Sequence, residues 1–95
     1  MRKSNVFVDL GFSQEEAAGL LLKSRLLTQI VRQAANYSQA QLQEILHEPQ
    51  PRVSDLLRGK SAKFSLETLV NYADALHMRP EIKLHKPVEQ IHATA

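Results

Sequence analysis

The sequence predicts an all-α domain with a short pair of β-strands near its ends. Three observations carry that expectation. Apolar residues recur at helical spacing over successive stretches, an apolar residue followed by a capping serine stands in front of three of them, and prolines and a glycine mark where stretches stop. A chain of 95 residues with this layout fits one domain, residues 1–85, followed by a flexible tail at 86–95. So short a chain buries only about 60–65% of its unfolded surface, and association as a homodimer is expected to add stability.

The first long helix is announced by Phe12, Ser13 and Glu16, placed as staple residue, N-cap and capping-box acid, so it begins near Gln14. Leu20, Leu27, Ile30, Val31 and Ala34 then recur at helical spacing. They predict one long helix, or two abutting ones divided near Gly19, running to about Ala35 and closed by Asn36 in a left-handed conformation. Within it, GLLLKSRLLTQIV reads most simply as core. The run LLL is also too continuous for one narrow buried stripe, which leaves part of that face for a partner helix.

Tyr37, Ser38 and Gln41 repeat the entry signal and predict a second helix over residues 39–46, with Leu42, Ile45 and Leu46 facing inward. His47, Glu48 and Pro49 break it, because the residue before a proline is pushed out of the helical region. Pro51 suits a first helical turn and Gly59 the position past a helix end, so a third helix is expected over about residues 51–58, burying Val53, Leu56 and Leu57. Phe64, Ser65 and Leu69 open a fourth, with Leu66, Leu69, Val70, Ala73 and Leu76 as its stripe, to about His77. After Pro80, EIKLH alternates apolar and polar residues and predicts a short strand; NVFV near the start is the other strand-like stretch. An isolated strand pair is marginal, so these two are expected to meet each other or a second subunit.

A net charge of +2 does not by itself announce a polyanion partner, but its distribution is uneven. Arg52, Arg58, Lys60 and Lys63 lie close together with Asp55 as the one acid among them. The absence of cysteine excludes disulfides and thiolate metal sites. His47, His77, His85 and His92 lack the spacing of a zinc pair, and no Ser-His-acid set or glycine-rich phosphate loop is visible. Neither a metal, a cofactor nor an enzymatic activity is expected. The start MRK is followed by too short an apolar stretch for a signal peptide, and no run approaches the ~20 residues of a membrane span. The expected setting is cytoplasmic, away from the membrane.

Two short helices joined by a three-residue turn form the helix-turn-helix arrangement, in which the second helix presents its outer face to base edges in the major groove. With Val53, Leu56 and Leu57 inward, that face comprises Gln50, Arg52, Ser54, Asp55 and Arg58. Gln pairs with adenine, Arg with guanine, Ser with either, and Asp accepts from cytosine. On spacing alone, Arg52, Asp55 and Arg58 read first as a solvated charge array. Lys60 and Lys63 read as loop charges, and Ser38 and Ser65 as helix caps.

The stretch YSQAQLQEILHEPQPRVSDLLRGKSAKFSLETLVNYADAL resembles the lambda-repressor-like (XRE) helix-turn-helix domain. DLGFSQEEA, QPRVSDLLRGK and FSLETLV together resemble the HigA-type antitoxins. That resemblance implies a lambda-repressor-like bundle, a repressor that binds a palindromic double-stranded DNA operator as a homodimer, and an antitoxin controlling its own toxin-antitoxin operon. It also implies that Ser38 and Gln39 meet a phosphate, that Gln50, Arg52 and Ser54 enter the major groove, and that Lys60, Lys63 and Ser65 grip the adjacent backbone; Arg58, by its charge and place, is expected to bind a phosphate as well. A second implied role is protein interaction, neutralising a RelE-like toxin without strong DNA binding. The chain departs from the family's pattern at Gln43, His47, Glu48 and Pro49, all around one turn. These departures predict either a turn rebuilt around Pro49 or a looser helix pair.

Overall fold

In the computed structural model, which describes residues 6–84, the long helices begin where a residue in extended backbone leads into the first turn. Helix α1 is a single turn, Val6–Asp9. It is followed by α2 (Gln14–Ala34), α3 (Gln39–Leu46), α4 (Gln50–Leu57), a 3-10 turn (Ser61–Lys63) and α5 (Leu66–Ala75). Both predicted capping boxes are formed. Ser13 Oγ accepts the Glu16 N–H at 3.1 Å while the Glu16 carboxylate accepts the Ser13 N–H at 3.1 Å. Ser38 and Gln41 repeat the exchange at 3.1 and 2.8 Å. Ser65 caps α5 by accepting the Thr68 N–H at 3.0 Å.

Beyond α1, which Gly11 (φ 100) closes, three helix ends depend on left-handed residues. At the exit of α4, Gly59 (φ 71) donates to the Leu56 carbonyl and Lys60 donates to that of Asp55, two bonds that close the last turn. His77 (φ 66) and Met78 close α5 in the same way on Asp74 and Ala73, so α5 stops at Ala75, short of the expected His77. His47 (φ 56) closes α3, its N–H and that of Glu48 both reaching the Gln43 carbonyl. Asn36 does not take this role: α2 ends with Ala35 in right-handed helical geometry and runs directly into the next entry. Gly19 leaves α2 unbroken.

The predicted strand pair is not formed among the described residues. Residues 6–12, which take in most of the NVFV stretch, turn on themselves, Leu10 donating to the Val6 carbonyl and Phe12 to that of Phe7. Phe7 and Phe12 then meet edge to face at 6.0 Å, beside α2. Residues 81–84 have no regular secondary structure. A strand exists only through a neighbour's backbone, and neither stretch has one here. His85, at the end of the second predicted strand, and the expected tail at 86–95 lie outside the described residues.

The core is one cluster to which every helix from α2 onward contributes: Leu27, Ile30 and Ala34 of α2, Leu42 and Leu46 of α3, Val53 and Leu56 of α4, and Leu69, Tyr72 and Ala73 of α5, with Phe64 and Leu76, which flank α5, as fully buried. Fully burying side chains of this size contributes roughly 1.5–3 kcal/mol each. The inward faces expected for α3 and α4 are the ones buried, with Ile45 and Leu57 half-covered. On α5, Val70 is not core but 39% exposed. α3 packs against α4, and α2 and α5 brace the pair from behind, which leaves the amino-terminal ends of α3 and α4 in solvent.

Candidate nucleic-acid interface

Gln39 and Gln50 are the first residues of α3 and α4, and the turn between these helices brings them together. The Gln50 Nε2 donates to the Gln39 Oε1 at 3.0 Å, and both residues are exposed. The bond holds the Gln50 amide in one orientation while leaving its own oxygen and a second N–H for another partner. Neither α3 nor α4 carries an acidic residue in its first turn, unlike α2 with Glu15 and Glu16 and α5 with Glu67. The partial positive charge at the amino terminus of α3 is therefore not offset by a first-turn carboxylate, whereas Glu48, next to the Pro49 cap, lies beside that of α4.

The turn between α3 and α4 is closed by left-handed backbone, and its acid is paired. His47 takes the left-handed position that glycine would fill more cheaply, and Pro49 leads into α4 in extended geometry with Pro51 in the first turn. Glu48 is half-buried but not unpaired. Its Oε2 accepts the Tyr72 hydroxyl at 2.6 Å, and its Oε1 lies 3.9 Å from the Arg52 Nε. Burial, then the adjacent Glu48 carboxylate, pushes the Tyr72 hydroxyl up to about 12, so it stays protonated and donating.

Arg52 belongs to this same assembly. Its guanidinium carbon lies 4.2 Å from the centroid of the Phe64 ring, and its Nη1 donates to the Lys63 carbonyl at 2.8 Å. Phe64 in turn meets Tyr72 edge to face at 5.9 Å, and its carbonyl accepts the Lys23 Nζ at 3.1 Å. Arg52 thus ties α4 to the 3-10 turn and α5. The contribution of Tyr72 escaped the sequence reading, which counted α5 by its aliphatic stripe. A polar-tipped aromatic on a buried face, with an unexplained acid at a turn, was the available signal.

The remaining predicted residues spread over the exit of α4. Ser54 is half-buried, and Arg58 is exposed as the C-cap residue. Asp55 holds Lys60 on one carboxylate oxygen and Lys63 on the other, each at 3.4 Å. Desolvation pushes the Asp55 carboxyl up, but Lys63 and then Lys60, by hydrogen bonding and charge, outweigh it and hold the group below its ordinary value. Ser38 and Ser65 are occupied as caps, with exposed positions beside the helix starts they serve. Gln39, Gln50 and Ser38 therefore gather at one end of the helix pair, and Arg58, Lys60 and Lys63 at the other.

No helix among the described residues is long and apolar enough to cross a membrane. A family described as a helix-turn-helix domain matches residues 6–85, most of the sequence. No curated protein and no solved structure matches. The chain belongs to this helix-turn-helix family.

Proposed function

We propose that this helix-turn-helix protein is a sequence-specific transcriptional repressor, acting in the cytoplasm as a homodimer that occludes a promoter by binding a palindromic operator. The family supports DNA binding in general. The observation that carries the finer reading is the Gln39–Gln50 hydrogen bond at the exposed start of α4, which presents an oriented amide suited to adenine. In this reading Gln50 and Ser54 read bases directly, and Arg52 and Asp55 do so at the groove edge. Ser38, Gln39, Arg58, Lys60, Lys63 and Ser65 hold phosphates, Lys60 and Lys63 exchanging Asp55 for the DNA backbone. Half-sites lie about one helical turn (~34 Å) apart. No chemistry is performed; the protein acts by binding.

The resemblance of DLGFSQEEA, QPRVSDLLRGK and FSLETLV to HigA-type antitoxins supports a more specific setting. There the repressor controls its own operon and neutralises a RelE-like toxin encoded beside it.

A mobility-shift titration against the DNA upstream of the gene tests the central reading. With three or four phosphates neutralised per subunit, log affinity against log salt falls with a slope of roughly −5 to −7. Gln50→Ala costs about 1–3 kcal/mol on the specific site and relaxes preference at one base position. A flat salt response, or equal loss of the Gln50 variant on specific and random DNA, would refute base reading by this helix.

A further inference from the structure

Between α2 and α5 runs a groove of about 610 Å³ whose apolar lining includes Leu22, Leu26, Leu66, Val70, Met78 and Ile82. Much of it faces water: Ile82 is 66% exposed, and Leu84 just beyond it 88%. Leu22, the half-covered last residue of the LLL run, thus joins Leu26, Leu66 and Val70 in an apolar surface larger than scattered single residues make. No residue of α3 or α4 lines this groove, so covering it leaves the Gln39–Gln50 end free.

The segment bordering the groove, residues 79–84, reads RPEIKL. Among the described residues its backbone makes no hydrogen bond, so its amides and carbonyls are available for a ladder. In a strand, Ile82 and Leu84 fall on one face and Glu81 and Lys83 on the other. Laid antiparallel on a second copy with the two-fold axis at Ile82, the segment sets Glu81 opposite Lys83 of that copy and Lys83 opposite its Glu81. Centring on Glu81 or Lys83 instead would oppose like charges, and a one-residue offset would oppose Ile82 to Lys83. Pro80, lacking an N–H, suits the arrangement in which Glu81 and Lys83 carry the ladder bonds and the two Ile82 side chains meet at the closer, non-hydrogen-bonded position.

We propose that a second copy of this chain docks on the α2–α5 groove through residues 80–84, paired as an antiparallel strand about Ile82. This rests on the homodimeric reading above and names the surface it uses. The strand predicted at EIKLH is then completed only by the second subunit, whose Ile82 and Leu84 join the same apolar surface.

Charge exchange in the full-length protein, followed by sedimentation velocity over a range of concentrations, tests it. Glu81→Lys alone or Lys83→Glu alone raises the dimer dissociation constant about tenfold or more, since each turns both cross-strand pairs into like-charge pairs. An equimolar mixture of the two variants, and the double variant E81K/K83E, both recover wild-type association. As the chain has no cysteine, Ile82→Cys forms a covalent dimer under mild oxidation and Lys83→Cys does not. A wild-type dimer indifferent to both charge changes, with no Ile82→Cys cross-link, overturns this interface and leaves the homodimer standing. A wild-type chain that stays monomeric throughout overturns both.

Discussion

Arg52 and Arg58 stand six residues apart at opposite ends of the same short helix, and their surroundings give them different work. Arg52 lies against the Phe64 ring, donates to the Lys63 carbonyl and faces Glu48, so its charge is held by the protein's own frame. Arg58 is exposed at the exit of α4, with no side-chain hydrogen bond or ion pair among the described residues. One end of α4 is fixed and the other left open. A cation helps hold a fold where an aromatic face and a carbonyl converge on it, whatever base edge it also reaches, and gives its whole charge to a polyanion where nothing does.

The largest expected effect breaks the fixed end. Arg52→Ala removes a charged hydrogen bond and a ring contact at once and should cost about 2–3 kcal/mol of folding stability, measured by urea denaturation. A stability within ~0.5 kcal/mol of wild type would mean that the guanidinium does not hold α4 to α5.

Next comes the partner of Glu48. Tyr72→Phe should cost about 1–2 kcal/mol by leaving a half-buried carboxylate oxygen without its donor. Because the folded-state hydroxyl titrates at about 12 and the unfolded one near 10, its contribution is complete below pH 10 and lost as pH rises from 10 to 12. Over that window the wild type should lose up to about 2.7 kcal/mol, while the Phe variant, with no group to ionise there, should not change. Parallel stability curves for the two proteins above pH 10 would rule the linkage out.

At the open end, Arg58→Ala should leave stability within ~0.5 kcal/mol of wild type. It should weaken binding to all DNA sequences alike, with the salt slope shallower by about 1 for each subunit. Loss confined to one sequence would instead make Arg58 a base reader. The smallest effect sharpens the contrast between the two helix exits, since Gly59 closes α4 without strain whereas His47 closes α3 at φ 56. His47→Gly should raise the thermal midpoint, the equivalent of up to about 1 kcal/mol, without altering DNA affinity. A lower midpoint would show that the histidine side chain, not its backbone, is what matters at the turn.

The helix starts at Ser13, Ser38 and Ser65 were legible because capping is local: the serine and the amide it accepts lie three residues apart. Gly59 was legible for the same reason. Asn36 misled, because a residue tolerant of left-handed backbone signals an option, and the immediate entry into α3 removes the need for it. The candidate site was only partly readable. Gln50 and Arg52 were both placed on the outer face of the third predicted helix by periodicity, but periodicity is blind to what lies beyond the helix. That Gln50 would meet Gln39, and Arg52 would meet Phe64, depends on the angle of the turn and on where α5 lies.

The sequence by itself determined the four longer helices, the serine caps of three of them and most of the inward stripe of each, since these arise from spacings of three and four residues and from the backbone preferences of serine, proline and glycine. The tertiary structure decided what the unusual turn costs and which charges remain free. Glu48 is tolerated because Tyr72, twenty-four residues later, brings it a hydroxyl. The predicted strands do not form among the described residues because a strand's stability lies in a neighbour's hydrogen bonds, and no local pattern can say whether that neighbour is there.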